Sequence, residues 1–508
     1  MTDWHKRRSD DLEAGEKMET DGQWLSRPTS EAGLNTGLLA EVLKEYRQAN
    51  GLNQGDLAKL LNLDQSYVSK IETGQRQVRD LETLLRIANR LNIPPSHVGV
   101  SQELLQPVAP PSSGALVDAV DPVEVSQSDW KRERRFLNRH RGELAQLAKQ
   151  LYSPDFHVGD NVTFMAKPEW MAERPIPLED IELRWVEDRV PIEVTGGEPE
   201  AAGVLPLRVP GRRFERYTSA IRYLDRPSLF ENRSSYRLLE ANLKAGDARL
   251  TFGLGTYFDK LDASEAAAHE LAGVVRQGPA DEVPEWSALP LRALIGDPFD
   301  LNRRGVMPAI ETLTLRRQRD TGKATFLLHW RDPAKVATAA GIYGLIPAGE
   351  FQPSSVAAWD TKNDFDLWRN MVREYSEEVL GEPERDGSSG EPINYDEWSF
   401  YRALKKARDE ERVTAYCLGI GLDTLTLTAT LLTVVVIDDD VFDDVFGEAV
   451  QINAEGALVT AMESTAVSEG VPFTEETVRR MLTSEPMASP GACILARSWE
   501  FRDDLLGR

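Results

Sequence analysis

Four short amphipathic segments follow one another between Leu38 and Val98, each closed by a turn residue. That punctuation confines this part of the chain to a small all-helical bundle, because no segment is long enough to be stable alone. The first segment, Leu39 to Asn50, places Leu39, Val42, Leu43 and Tyr46 at helical spacing, and Gly51 stops it. The second runs from Gln54 to Leu61 behind Asn53, a plausible N-cap, and Asn62-Leu63 makes a tight turn. Asp64 caps the third, Gln65 to Thr73, which ends at Gly74. The fourth runs from Asp80 to Leu91 and closes before Pro94-Pro95.

In the third segment Val68 and Ile71 face the core, which leaves Gln65, Ser66, Tyr67, Ser69, Lys70 and Thr73 toward a partner. Short polar side chains at a helix N-terminus suit hydrogen bonding to base edges in a major groove. Gln54 opens the preceding helix, where backbone N–H groups and an amide side chain can hold a phosphate. Lys70 and Arg76 are the natural phosphate partners. The alternative is a four-helix packing or protein-binding module. The segment resembles the XRE (Cro/repressor-like) helix-turn-helix family. The resemblance rests on Arg47, Leu52, Asn53-Gln54, Leu57-Ala58, Leu63, Asp64-Gln65-Ser66, Val68-Ser69, Ile71-Glu72, Gly74, Leu84 and Ala88. It implies a double-stranded DNA operator as partner, and a homodimer reading two half-sites.

Charge separates this unit from the rest. The chain of 508 residues carries a net charge of -24, whereas Thr36 to Val100 holds 8 Lys+Arg and 7 Asp+Glu. A nearly neutral reader is therefore attached to a large acidic body, which suits a ligand or a protein better than a nucleic-acid surface. Two cysteines, Cys417 and Cys493, make neither a disulfide framework nor a zinc finger, and the histidines form no pair at metal spacing. The first 35 residues show no secretory signal, and the longest apolar run, Leu425 to Ile437, is too short to span a bilayer. A cytoplasmic protein without membrane attachment is expected.

The expected architecture is multidomain: an all-α N-terminal helix-turn-helix domain and an α/β (α+β) body. Residues 1–35 form a flexible arm in which His5-Lys-Arg-Arg8 either touches DNA or is a solvated tail. The helix-turn-helix domain spans 36–100, a Pro/Ser-rich linker 101–128, an α+β middle region 129–300 and a further domain 301–508. Trp130 to Arg141 opens a long helix whose Arg/Lys cluster either reaches DNA flanking the operator or forms an exposed face. Glu182 to Val186, Tyr236 to Glu240 and Arg249 to Phe252 are strand candidates, and Leu261 to Val274 is a helix with an Ala-rich face. Gly253-Leu-Gly255 lacks the rest of a phosphate-loop pattern and reads as a turn.

Ile310 to Arg317 and Ala324 to Arg331 alternate like the two strands of a hairpin across Asp320-Thr-Gly-Lys323. Gly341 to Glu350 is a strand entering a Pro/Gly loop, and a helix covers Phe365 to Leu380. On that helix Glu374 and Glu378 lie four apart, with Glu377 beside them. Such packed carboxylates call for a cation, and Mg²⁺ bridging to phosphates is the common use; otherwise they are a solvated acidic face.

Arg373-Glu374-Tyr375-Ser376-Glu377-Glu378, with Ile346-Pro-Ala-Gly-Glu350 before it, resembles the core of the Nudix family. The resemblance implies a Nudix-like α/β/α C-terminal domain, Mg²⁺ held by Glu374, Glu377 and Glu378, and Glu377 as a catalytic residue acting on a nucleoside diphosphate derivative. The sequence departs from the family pattern in three ways. The glycine comes at Gly381, the gap from Gly349 to Arg373 is long, and only Asp364 and Asp366 lie near the place of the upstream Glu. A domain that keeps the fold and senses a nucleotide-derived ligand is therefore expected, with a hydrolase or a protein-binding scaffold as alternatives.

Downstream, a helix from Trp398 to Glu410 with Asp396 as N-cap, a strand Val413 to Leu418, and buried strands within Leu425 to Ile437 are expected. Asp438 to Asp444 open either a cation site or an acid-rich helix with Phe442 and Phe446 buried. Phe473 to Leu482 and Ala488 to Leu506 are the closing helices.

Overall fold

The computed structural model describes residues 38–61, 63, 65–74, 78, 81–91, 93–98, 121–160, 162–227, 230–278, 282–331, 342–385, 390–447, 456–459 and 470–508. The expected arm over 1–35, and the linker up to residue 120, lie outside the described residues. The chain divides into two compact units, Met1–Ala119 and Val120–Arg508.

The first unit is a helical bundle of α1 (Leu38–Ala49), α2 (Gln54–Leu61), α3 (Gln65–Glu72) and α4 (Leu81–Leu91), closed by a 3₁₀ turn at Pro95–Val98. Its core is the set that the periodicity selects, including Leu39, Leu43, Leu57, Val68, Ile71, Leu84, Ala88 and Val98. Helix α1 stops because Gly51 takes φ 64°, and the Leu52 N–H then reaches the Arg47 carbonyl at 2.9 Å while the Gly51 N–H reaches Gln48. These two bonds form the left-handed helix stop that glycine favours. Asn53 caps α2: its Oδ1 accepts the Asp56 N–H at 2.9 Å, and Asp56 returns the favour to the Asn53 N–H.

The second unit is a mixed α/β body built on an eight-stranded sheet. Its centre is a parallel pair, Ala309–Arg317 beside Ala429–Asp438, flanked by the antiparallel Val413–Asp423. All ten residues of Ala429–Asp438 are buried, because both faces of the sheet are covered. Leu431, Val435 and Ile437 enter one core, and Leu432, Val434 and Val436 enter the other. The first core also takes in the helices Leu367–Glu374, Ser399–Asp409 and Asp439–Phe446. The second takes in Glu475–Thr483, Ser489–Glu500 and Arg502–Leu506. A three-stranded sheet of Glu182–Trp185, Arg249–Thr256 and Ser234–Asn242 packs with the helix Tyr257–Gln277 into the first core. Among the described residues no helix is long and apolar enough to cross a membrane.

Several expectations change. The boundary at residues 300/301 does not divide the body, since Met171–Pro177 pairs with Val413–Asp423 in the main sheet. Residues 122–128 are not linker: a helix spans Pro122–Arg139, with Asp121 capping Val123 N–H and Pro122 in the first turn. It breaks at His140 and resumes as Arg141–Lys149. Gly253 and Gly255 lie inside a strand, and a helix does follow, opened by a Thr256/Asp259 capping box. The hairpin holds through Phe326, after which Leu328–Arg331 joins a separate sheet with Tyr343–Leu345. Residues 425–428 turn rather than extend, with Asp423 Oδ1 accepting from the Leu425 and Thr426 N–H groups. Trp398, not Asp396, occupies the cap of Ser399–Asp409. The acid-rich segment is a helix, Asp439–Phe446, with Phe442 and Phe446 buried.

Candidate nucleic-acid interface

Helix α3 stands on the bundle by Val68 and Ile71, both buried, so its other faces are presented outward. Gln65 and Lys70 are exposed and Ser69 is half-buried. Thr73 is exposed, but its hydroxyl donates back to the Ser69 carbonyl at 2.8 Å. Tyr67 is half-buried and packs against the core of the bundle instead of facing outward alone. The side chain of Ser66, and the whole of Arg76 and Asp64, lie outside the described residues. Gln65 in the first turn of α3 offers an amide that can pair with adenine in a major groove, and Lys70 offers a point charge for a phosphate.

The Gln54 side chain is bonded within the bundle. Its side-chain Nε2 donates to Glu72 Oε2 at 2.7 Å. Arg47 donates to the same carboxylate through Nε at 3.0 Å and Nη2 at 3.3 Å. Glu72 is only 2% exposed, so its charge depends on these two partners. The network ties the last residue of α3 to α1 and to the first residue of α2, and so fixes the angle at which α3 is offered. Gly55 leaves room beside it: a Cβ there would lie 3.1 Å from Asn53 Oδ1 and 3.7 Å from Gln65 Oε1. Sequence reasoning placed Arg47 and Glu72 in the pattern without a partner for either. The one available signal was a carboxylate next to Ile71 and four residues after Val68, on the apolar side of the helix.

In the body, Glu374, Glu377 and Glu378 lie on one helix that changes its geometry part-way. The helix is α-helical from Leu367 to Glu374 and continues as a π turn over Tyr375–Val379. Glu378 accepts the Ala348 N–H at 2.8 Å, and the Glu374 carboxylate lies against Gly349, where a Cβ would come within 2.1 Å of it. Arg373 pairs with Asp364 at 2.9 Å and donates to the Gln352 carbonyl. Burial opposes the Arg373 charge, and Tyr395, Asp364 and Glu374 outweigh it, holding the guanidinium above its ordinary value. Asp364 also accepts from Ser354 and Tyr395, while Asp366 caps the helix at Arg369 N–H. Among the described residues no three His, Cys, Asp or Glu side chains are placed to hold one metal ion. The hollow lined by Gln352, Arg373, Glu374 and Glu377 measures about 20 Å³. That is room for one water, far below the ~300 Å³ at which ligand pockets begin. Glu374 and Glu378 both lie against the Ala348–Gly349 backbone, and Glu377 borders the same small hollow.

A helix-turn-helix family matches residues 43–98. Over 55 residues the chain is 38% identical to control protein C.SmaI of Serratia marcescens, a match that takes in 11% of this chain and 64% of that protein. The chain thus spans just under two thirds of that relative's length. The solved structure of the hypothetical transcription factor NHTF from Neisseria is 26% identical, with 16% of this chain and 97% of that one covered and a TM-score of 0.12. Residues 43–98 are a helix-turn-helix domain of the XRE type.

Proposed function

We propose that this protein is a sequence-specific, DNA-binding transcriptional regulator that reads an operator with α3 as a homodimer. The observation that carries the reading is the Arg47–Glu72–Gln54 network, which sets α3 at a fixed angle with Gln65 and Lys70 exposed. The match of residues 43–98 to a helix-turn-helix family supports it. The test is selection of binding sites by the full chain from a random duplex pool. A single enriched motif, present as two half-sites about one helical turn apart, is the expected result. Recovery of no motif would sink the proposal.

Within this reading, we propose that the body responds to a nucleotide-type ligand rather than hydrolysing one. Arg373 is committed to buried Asp364 and Glu378 to a backbone N–H, so the Nudix-like motif serves packing rather than turnover. A cleft of about 870 Å³ elsewhere is lined by Trp368 and Tyr401, by Arg317, Arg319, Lys405 and Arg408, and by Glu179, Asp409, Glu411 and Asp504. It has the size for a small ligand and rings for a base, and an anionic group would enter by displacing carboxylates from the cations. Arg408 stacks over Trp368 at 4.5 Å and pairs with Glu179 at 2.9 Å, so a phosphate entering there exchanges with a carboxylate. Loss of the Arg408→Gln protein's response to a nucleotide that shifts wild-type DNA binding is expected. An unchanged response refutes this site, and turnover of the nucleotide by wild-type protein restores the hydrolase reading.

A further inference from the structure

The Arg/Lys cluster after Trp130 does not all serve one purpose. Trp130, Arg134 and Leu137 recur at helical spacing and are buried. Arg134 is only 2% exposed and pairs with Asp225 at 3.0 Å and with the Tyr217 hydroxyl at 3.2 Å. Arg141, in the next helix, turns to Glu265. These two cations therefore anchor the helix to the body. Lys131, Arg135 and Arg139 recur every fourth residue, with Arg132 beside them, and so share the roughly opposite side. Arg132, Arg135 and Arg139 are exposed and Lys131 is half-buried. Arg132 meets Asp129 in a surface pair, which is worth little and exchanges readily.

A second basic element adjoins this stripe. The hairpin Leu207–Val209 and Arg212–Arg213 turns at Gly211. It is docked on the helix's first half. Gln127 Nε2 donates to the Leu207 carbonyl at 2.9 Å, and the Leu207 N–H donates to Ser126 Oγ at 2.9 Å. The hairpin exposes Arg208, Arg212 and Arg213. Arg212 meets Glu215 in a surface pair and Arg213 also donates to the Leu205 carbonyl, yet on a chain of net charge -24 these two elements together remain richer in cations than in acids.

We infer that the outer face of Pro122–Arg139, with the adjoining hairpin, is a second DNA-contacting surface that holds phosphates flanking the site read by α3. This inference rests on the proposed DNA-binding reading. Lys131 to Arg139 covers about 12 Å of helix, which matches roughly three to four phosphates of one strand. The chain from Val98 to Pro122 reaches at most roughly 80 Å when extended, so it does not forbid both surfaces from using one duplex. The surface carries no base-reading geometry. Its contribution is uniform across sequences and appears as salt dependence.

The test compares full-length wild type with Arg132→Gln/Arg135→Gln/Arg139→Gln and with Arg212→Gln/Arg213→Gln. Each binds two duplexes of about four helical turns, one carrying the selected site and one random, over a range of salt concentrations. The slope of log K against log salt should fall by about 2–3 for the triple variant and about 1–2 for the double variant. The ratio of selected to random affinity should stay unchanged. Specific wild-type binding with unchanged slopes in both variants overturns this inference and leaves the α3 reading intact. Unchanged slopes with altered sedimentation of the free protein would instead assign the patch to the acidic face of a second copy. Absence of wild-type preference for the selected duplex overturns the α3 reading, and this inference with it.

Discussion

Replacing Arg47 by Met tests whether the carboxylate at the end of α3 controls the stability of the reader. The substitution keeps the bulk of the side chain and removes three donated bonds, two to Glu72 and a long one of 3.5 Å to the Leu52 carbonyl. Glu72, 2% exposed, is left with Gln54 alone. Breaking a buried ion pair from one side costs about 3–5 kcal/mol, because the remaining charge has no compensation. Arg47 is 25% exposed and Gln54 still donates, so the low end applies, about 3 kcal/mol. For a domain of this size that is a large share of a total of roughly 5 kcal/mol. Hydrogen exchange on the full chain reads it directly in peptides covering α1 and α3. Opening should become about 150-fold more favourable, since each 1.4 kcal/mol is tenfold. Adding Glu72→Gln removes the stranded charge while keeping an acceptor for Gln54, and should recover all but about 1 kcal/mol. A less than fivefold change in Arg47→Met would falsify the network argument. So would a double variant as unstable as the single one.

Gln65→Ala should lower discrimination at one base pair of the selected site by about 1–3 kcal/mol while leaving random-duplex affinity unchanged, as measured by competition binding. Gly51→Ala should cost about 1 kcal/mol in the same exchange assay. Nothing lies within 4 Å of the added Cβ, so only the left-handed backbone is strained, and Gly51→Asn should cost less. In the body, burial pushes the Asp262 carboxyl up to about 6, from an ordinary 3.8, although it accepts the Thr218 N–H. Between those values the folded protein holds a proton that the unfolded chain has released, so stability falls as pH rises from about 4 to about 6. Asp262→Asn removes that loss. Its denaturant stability relative to wild type should improve by about 2–3 kcal/mol across that window, and a flat difference refutes the assignment.

Local backbone chemistry made the reader legible without coordinates. Gly51 and Gly74 adopt positive φ, Asn53 caps, and Leu39, Leu57, Val68 and Leu84 recur where one apolar face requires them. Each is a statement about residues within one or two turns of each other. Within the expected run Leu425 to Ile437, the strand Ala429–Asp438 was legible for a related reason, since its apolar residues fall on both faces and leave no solvent side. What the tertiary structure alone decided are choices among chemically equivalent partners far apart in the chain. Glu72 takes Arg47 and Gln54, although Lys70 is closer in sequence. Arg134 goes inward to Asp225 while its neighbour Arg135 stays out. Asp364 claims Arg373, and Glu374 and Glu378 come to lie against the backbone of Ala348 and Gly349. Periodicity specifies which face is buried; it does not specify against what. Charge attracts any opposite charge, so packing of the apolar faces has to settle the distances first, and those distances then select the pairs.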